Sequence, residues 1–371
     1  MPSTQRFHAW IETDLPLGHD RAAIAATEPV RTIAGSRRDW PRLRRFLGDP
    51  PASPAAGRLP TRAAIGYFTY EGDFWFGLHD RVQVVPATAW PDTTATSSVG
   101  PATSSLTREE FIRAVRRIHE YIRAGDIYQV NLTRTVQAPF RGSPRAMFSR
   151  LRGVSPAPFA AFIQAPDRAI LSASPELFLR IDGPIIETRP IKGTRPRFHD
   201  PDADRCAADE LVSDGKEIAE LIMITDLERN DLGRVCEFGT VEVLRLAERQ
   251  SFAQVHHLVS TVRGRLREHT TPIDALAACF PGGSITGAPK KRAMEIIAEI
   301  EPCPRGLYTG AIGFFGLDGI SQFNIAIRTM EITGPEVRYG VGGGITIDSD
   351  PSREFEETCH KAAGIESALY A

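Results

Sequence analysis

Leu177-Phe-Leu-Arg-Ile181, then Asp182-Gly-Pro184, then Ile185-Ile-Glu-Thr188 reads as two short apolar runs around a Gly-Pro turn, a β-hairpin. Working outward, Ala169-Ile-Leu-Ser-Ala173 and Phe159-Ala-Ala-Phe-Ile163 are further strands, and Asp126-Ile-Tyr-Gln-Val-Asn-Leu-Thr-Arg134 is another. Strand follows strand here, with long helical stretches set before and after the group. That order argues against regular alternation of strand and helix and for a large α+β domain.

The helical stretches carry their own signals. In Leu106–Gly125, Thr107 stands as N-cap with Glu110 three residues on, Phe111, Val115, Ile118 and Ile122 recur at helical spacing, and Gly125 is placed to close the helix. Upstream, Gly66-Tyr-Phe-Thr-Tyr-Glu-Gly-Asp-Phe-Trp-Phe76 reads as two aromatic strands around a turn at Glu71-Gly-Asp73, with the rings packed in a core. Between them, Pro86–Ser105 is rich in Pro, Thr, Ser and Gly and reads as an exposed connector. The expected organisation is thus an N-terminal region, 1–105, packed on a main domain, 106–371.

Composition excludes several classes. The formal net charge is −2 and 42% of residues are hydrophobic, which fits an ordinary globular chain and gives no basic excess for a nucleic-acid partner. No apolar stretch is long enough to span a bilayer. Met1–Trp10 lacks the apolar core of a secretory signal, so the expected location is the cytoplasm. The five cysteines are scattered, without a Cys-x-x-Cys pair, and suggest neither a disulfide framework nor a zinc site.

Chemistry concentrates in a few segments. In Glu187-Thr-Arg-Pro-Ile-Lys-Gly-Thr-Arg-Pro-Arg197 the amine of Lys192 lies in sequence among Arg189, Arg195 and Arg197. Nearby positive charge discourages an amine from holding its proton, one route to a nucleophilic lysine; the same run also reads as a basic surface loop. Glu217 and Glu220 stand three apart in one helical stretch, and Glu354 and Glu357 repeat that spacing in another that starts at Asp350-Pro351. Two such pairs could hold a hard cation such as Mg²⁺ through oxygen ligands, or remain solvated surface acids.

Phe280-Pro-Gly-Gly-Ser-Ile-Thr-Gly-Ala-Pro-Lys-Lys291 has Ala288 where a phosphate loop needs lysine, and Thr286 where a nucleophile elbow needs glycine. It and Gly340-Val-Gly-Gly-Gly-Ile-Thr346 suit close backbone approach to a carboxylate, or simply tight turns.

Pro190-Ile-Lys-Gly-Thr-Arg-Pro-Arg197 resembles the signature of the chorismate-utilising enzymes, in the version found in aminodeoxychorismate synthases. Anthranilate synthase relatives have alanine at the position of Lys192. The resemblance extends from about Leu106 to Ala371 and includes Ser172-Ala-Ser-Pro-Glu-Leu-Phe178, Thr225–Cys236, Val255–Ser260, the two glycine segments, Gly306–Gly313 and Ile325–Arg328.

The resemblance implies two packed, mostly antiparallel sheets with helices outside, in α/β/β/α layers. It implies that Lys192 is the nucleophile and Glu176, sixteen residues earlier, the acid for the departing hydroxyl. It assigns Mg²⁺ to Glu220 and Glu357, with Glu217 and Glu354 in support. Tyr308, Arg328, Gly342, Gly343, Gly344 and Lys361 would grip the carboxylates of chorismate, and Gln129, Thr194, His257 and Thr286 would line the pocket. Gln129 stands where isochorismate- and salicylate-forming relatives carry a water-activating lysine, and a neutral amide cannot act as that base, so the incoming nucleophile is expected to be an amine.

The implied activity is amination of chorismate at C4 to 4-amino-4-deoxychorismate, toward 4-aminobenzoate and folate, with conversion to 4-aminobenzoate left to another enzyme. No cysteine-nucleophile elbow is seen, so ammonia is expected from a separate glutamine amidotransferase subunit. Longer relatives use the N-terminal region for a tryptophan pocket, whose motif is not found here. The alternatives are anthranilate synthase component I and a catalytically silent chorismate-binding subunit.

Overall fold

The computed structural model describes residues 7–48, 57–91, 95–252 and 254–370. Residues 1–6 of the stretch read for a signal segment, and 92–94 of the connector, lie outside the described residues.

Two antiparallel sheets, of eleven and ten strands, make up the body of the protein. In the first, Gly287–Ala288, Gln129–Gly142, Glu336–Ile345, Thr329–Thr333, Ala169–Ser174 and Phe159–Gln164 lie side by side, followed by Ala9–Leu17, Asp20–Ala26 and Gln83–Pro86. In the second, Ile191–Pro196 and Ile185–Arg189 both pair with Val255–Arg265, and Leu177–Asp182, Ser321–Ile325, Ala311–Gly316, Ala63–Phe68, Phe74–His79 and Arg31–Gly35 follow. Strands from before residue 105 thus continue both sheets.

The sheets face each other across Ile11, Ile24, Ile65, Tyr67, Ile163, Ile170, Ile312 and Phe314. Helices cover the outsides. Pro144–Val154 and Pro351–Tyr370 bury Met147, Phe148, Leu151 and Ile365 against Phe162 and Tyr339 of the first sheet. On the second sheet, Trp40, Leu43 and Leu276 close over Phe68, Phe76, Leu179 and Phe323. The α/β/β/α layering expected from the resemblance is the observed one.

Local sequence explains the element boundaries. Arg108–Arg123 begins with the reciprocal bonds of Thr107 and Glu110, the Glu110 N–H donating to Thr107 Oγ1 at 3.3 Å and the Thr107 N–H to Glu110 Oε2 at 2.8 Å. It stops at Gly125, φ +82°. Phe111, Val115 and Ile118 are buried, each contributing about 1.5–3 kcal/mol of hydrophobic stabilisation. The aromatic hairpin is also as read: Ala63–Phe68 pairs antiparallel with Phe74–His79, and Phe68, Phe74 and Phe76 are core.

Three expectations need correction. The connector Pro86–Ser105 is mostly exposed, but it is pinned: Trp90 is 4% exposed, packs edge-on to Trp10 and Phe148, and donates to Ser149 Oγ at 2.9 Å. Ser97–Val99 and Thr103–Ser104 then add to the long strand Gln129–Gly142. That long strand starts three residues later than read and runs eight further, because Glu336–Ile345 pairs with it from Val130 to Pro139. The Lys192 run is not a loop: Ile191–Pro196 is a strand, with its register broken at Gly193, φ +65°, between Lys192 and Thr194. Among the described residues no helix is long and apolar enough to cross a membrane.

Candidate active site

The chain crosses between the sheets at two places that bear on the site. Ala169–Ser174 leaves the first sheet and Leu177–Asp182 enters the second, which puts Glu176 in the crossing; Ser321–Ile325 returns to Thr329–Thr333, which puts Arg328 in the other. The crossings are bonded to one another. The Ile325 N–H donates to the Glu176 carbonyl at 3.1 Å, the Ala173 N–H to the Arg328 carbonyl at 3.0 Å, and Ser174 Oγ to the Ile325 carbonyl at 2.6 Å. Sequence separates Glu176 and Arg328 widely, and topology fixes them together.

Their electrostatics differ from those of surface residues. Burial pushes the Glu176 carboxyl up to about 7, against a smaller opposing pull from the Ser284 hydroxyl and the Lys192 amine. A carboxyl in that range still carries a proton near neutral pH and can donate it. Arg328 has no carboxylate partner among the described residues, and burial alone pulls its guanidinium down from the ordinary value. It sits at φ +49°, in the left-handed region a non-glycine residue adopts only when its surroundings hold it there. An unpaired, partly buried guanidinium suits a planar anion.

Lys192 lies 3.9 Å from the Glu220 carboxylate and close enough to Glu176, Glu217 and Glu357 to act on each. The three arginines expected from the sequence to surround it are paired elsewhere. Arg189 is paired with Asp14 and Glu187, Arg195 with Glu210 and Asp214, and Arg197 with Asp204. Strand geometry turns each guanidinium toward a carboxylate of its own, and the charged partner left to the amine is an acid, Glu220.

His257 on Val255–Arg265 faces Thr194, with Nδ1 3.1 Å from Thr194 Oγ1 and 3.0 Å from the Gly193 carbonyl. Burial lowers its pKa to about 4, so the ring is neutral at physiological pH. With Nδ1–H donating to Gly193, Nε2 is an acceptor, buried and unpartnered. Gln129 is fully buried with both amide atoms unpartnered, and Asn131 Oδ1 and Thr346 Oγ1 are in the same state. Buried polar atoms left open in this number call for a partner, an ordered water or a bound ligand.

The glycines make the room. A Cβ on Gly344 would fall 1.9 Å from Gln129 Nε2, and one on Gly340 would fall 2.2 Å from the Tyr308 ring. Gly343 would bring a Cβ 3.5 Å from Glu354 Oε2 and from Lys361 Nζ, and Lys361 itself donates to the Gly342 carbonyl at 3.1 Å. The Thr286 hydroxyl is committed to its own loop, donating to the Gly282 carbonyl at 2.9 Å.

The two acidic pairs meet at this end of the molecule. Burial raises Glu217, and Glu220 and Glu357 raise it further; burial and Glu357 likewise raise Glu354. Glu357, whose side chain is half-exposed, is held below its ordinary range by Lys361, 2.6 Å away, against a partial desolvation that would raise it. Mutually repelling oxygen donors of this kind fit a hard divalent cation. Among the described residues, however, no three acidic, His or Cys side chains converge into a ready-made cage, and Lys192, Lys216 and Lys361 stand among the carboxylates.

The profile of chorismate binding enzymes matches residues 75–367. The chain belongs to the chorismate-binding enzyme family. It is 49% identical over 266 residues to anthranilate synthase component 1 1 of Haloarcula marismortui, covering 72% of this chain and 54% of that one. It is 43% identical over 272 residues to aminodeoxychorismate synthase component 1 of Bacillus subtilis, covering 73% and 58%. The chain thus spans a little over half the length of these curated relatives. Among solved structures, anthranilate synthase component I of Streptococcus pneumoniae superposes with a TM-score of 0.84 at 27% identity, covering 95% of this chain and 93% of that one.

One residue of this family member's interior was not singled out in its sequence. Glu228, in the Thr225–Cys236 segment, is buried with Thr188 Oγ1 donating to its Oε2 at 2.6 Å. Burial, with Glu176 and Asp231 adding to it, pushes its carboxyl up to about 8. Helical periodicity would have placed it only on an inward face; nothing in sequence shows that Thr188 is its partner.

In the unfolded chain that carboxyl ionises near 4.5. Between the two values the folded protein holds a proton the unfolded chain has released, so stability falls as pH rises through that window. Glu228→Gln should therefore stabilise by roughly 4 kcal/mol at about pH 8, with the gain shrinking toward pH 5. Thermal unfolding of both proteins at the two pH values checks this, and an equal difference at both would contradict it.

Proposed function

We propose that the chain aminates chorismate at C4 with ammonia, giving 4-amino-4-deoxychorismate, as aminodeoxychorismate synthase component I does. The observation that carries this reading is the meeting of a protonated buried carboxyl, Glu176, with an amine, Lys192, at a crossing bonded to the one that holds the unpaired Arg328.

In this reading Arg328, Tyr308, the Gly342–Gly344 backbone and Lys361 receive the carboxylates. The Lys192 amine bonds to C2, both double bonds of the conjugated ring diene shift by one position, and the C4–O bond breaks as Glu176 delivers its proton, releasing water. Ammonia then bonds to C4, both double bonds shift back, and the C2–N bond breaks to free the lysine. Two allylic displacements replace one difficult substitution. Glu220 and Glu357, supported by Glu217 and Glu354, would hold Mg²⁺, which supplies positive charge against a substrate carboxylate when bound. The neutral amide of Gln129 offers no base to activate water, which favours an amine as the second nucleophile.

A second reading, anthranilate synthase component I, is favoured by the 49% identity to the Haloarcula marismortui protein. Lys192 argues against it, because the resemblance implies alanine at this position in anthranilate synthases. Nitrogen would come from a separate glutamine amidotransferase subunit, with free ammonia as substitute. Incubation of the purified chain with chorismate, Mg²⁺ and ammonium should yield 4-amino-4-deoxychorismate, and glutamine in place of ammonium should yield none. Anthranilate and pyruvate as the main products would overturn the first reading in favour of the second, and no turnover at all would favour a silent subunit.

A further inference from the structure

The aromatic hairpin Ala63–Phe68 and Phe74–His79 turns at Tyr70-Glu71-Gly72, far in sequence from the residues of the pocket. Its turn nevertheless grips the segment that carries Tyr308. The Glu71 carboxylate accepts from the backbone N–H of Arg305 at 2.9 Å and of Gly306 at 3.2 Å, and the Tyr70 N–H donates to the Gly306 carbonyl at 2.7 Å. Carboxylate bonds of this kind are among the stronger hydrogen bonds.

Arg305 extends the grip. Its side chain lies over the Tyr70 ring, 4.6 Å from the centroid, with Glu301 balancing its charge. The guanidinium donates to the Ile285 carbonyl at 2.8 Å and to the Asn131 carbonyl at 2.9 Å. One arginine, 3% exposed, thereby joins the loop of Thr286, the strand of Gln129 and the turn of Tyr308.

That turn depends on outside support. Gly306 has φ +63° and Thr309, a β-branched residue, has φ +62°. Between them the Tyr308 ring rests on Gly340 with no space for even a methyl group, so a shift of the turn displaces the phenol.

We propose that Glu71, acting through Arg305 and Gly306, is a positioning residue for Tyr308, so that the N-terminal hairpin sets the affinity for the substrate carboxylate. The proposal rests on the chorismate reading. Glu71 touches neither substrate nor reacting atoms, so its loss should appear in KM and leave kcat nearly unchanged.

The experiment is steady-state kinetics with chorismate at saturating ammonium and Mg²⁺. Glu71→Ala should raise KM about tenfold with kcat within about twofold, while Glu71→Gln, which keeps an acceptor oxygen, should recover most of the loss. In a Tyr308→Phe background Glu71→Ala should add less than about twofold, because the two act on one contact. An unchanged KM in Glu71→Ala, or effects that simply multiply in the double variant, would overturn the proposal while leaving the chorismate reading standing. A wild-type chain that does not consume chorismate would overturn both.

Discussion

Lys192→Ala should lose C4 amination of chorismate by about two orders of magnitude or more, because the variant cannot form the covalent intermediate and must rely on direct attack. The product balance should move toward C2 amination, the anthranilate route, since Glu176, Arg328 and the carboxylate cluster all remain. The fold should tolerate the change. Lys192 lies near the end of its strand with one carboxylate, Glu220, 3.9 Å away, and its alanine keeps the backbone pairing to Leu258. Separated products from wild type and variant under the same ammonium concentration decide the matter. Wild-type C4 amination in the variant would make the lysine a bystander.

Glu176→Gln should lower kcat/KM about 10²–10⁴-fold, the range for removing a positioned acid. The wild-type pH profile carries the second half of this prediction. Only the protonated carboxyl can deliver a proton to the departing hydroxyl, so kcat/KM should fall as pH rises through about 7, where burial holds Glu176. Free ammonia must be kept constant, because it rises with pH and would mask the fall. The glutamine variant should lose this limb altogether. A profile that keeps the same limb in Glu176→Gln would assign it to another group, with Glu228, pushed up to about 8, the first to test.

What was legible in the sequence follows from which forces are local. The Thr107–Glu110 cap, the Gly125 stop and the Asp350-Pro351 start are set by neighbouring residues, and each appears where it was read. The succession Phe159–Gln164, Ala169–Ser174, Leu177–Asp182 and Ile185–Arg189 likewise declares an α+β chain. What sequence could not show is which strands change sheets. Glu176 and Arg328 owe their juxtaposition to two crossings bonded to one another, and no periodicity announces that.

Charge was the other failure of a local reading. Arg189, Arg195 and Arg197 lie near Lys192 in sequence, yet Asp14 from the N-terminal strand and Asp204, Glu210 and Asp214 from the helical stretch that follows hold them. Apart from Glu176, the carboxylates that do surround the lysine come from two helices, Gly215–Gly233 and Pro351–Tyr370, brought together only by the folded sheets. The strut from Glu71 to Gly306 is hidden for the same reason: its partners are joined by topology rather than by proximity in the chain.

The most direct test of the central claim is peptide-mapped mass spectrometry of the wild-type protein incubated with chorismate and Mg²⁺ in the absence of ammonia. A chorismate-derived adduct should appear on the peptide containing Lys192 and discharge to 4-amino-4-deoxychorismate when ammonium is added. Absence of any adduct on Lys192, in a preparation that still aminates chorismate at C4, would contradict the account.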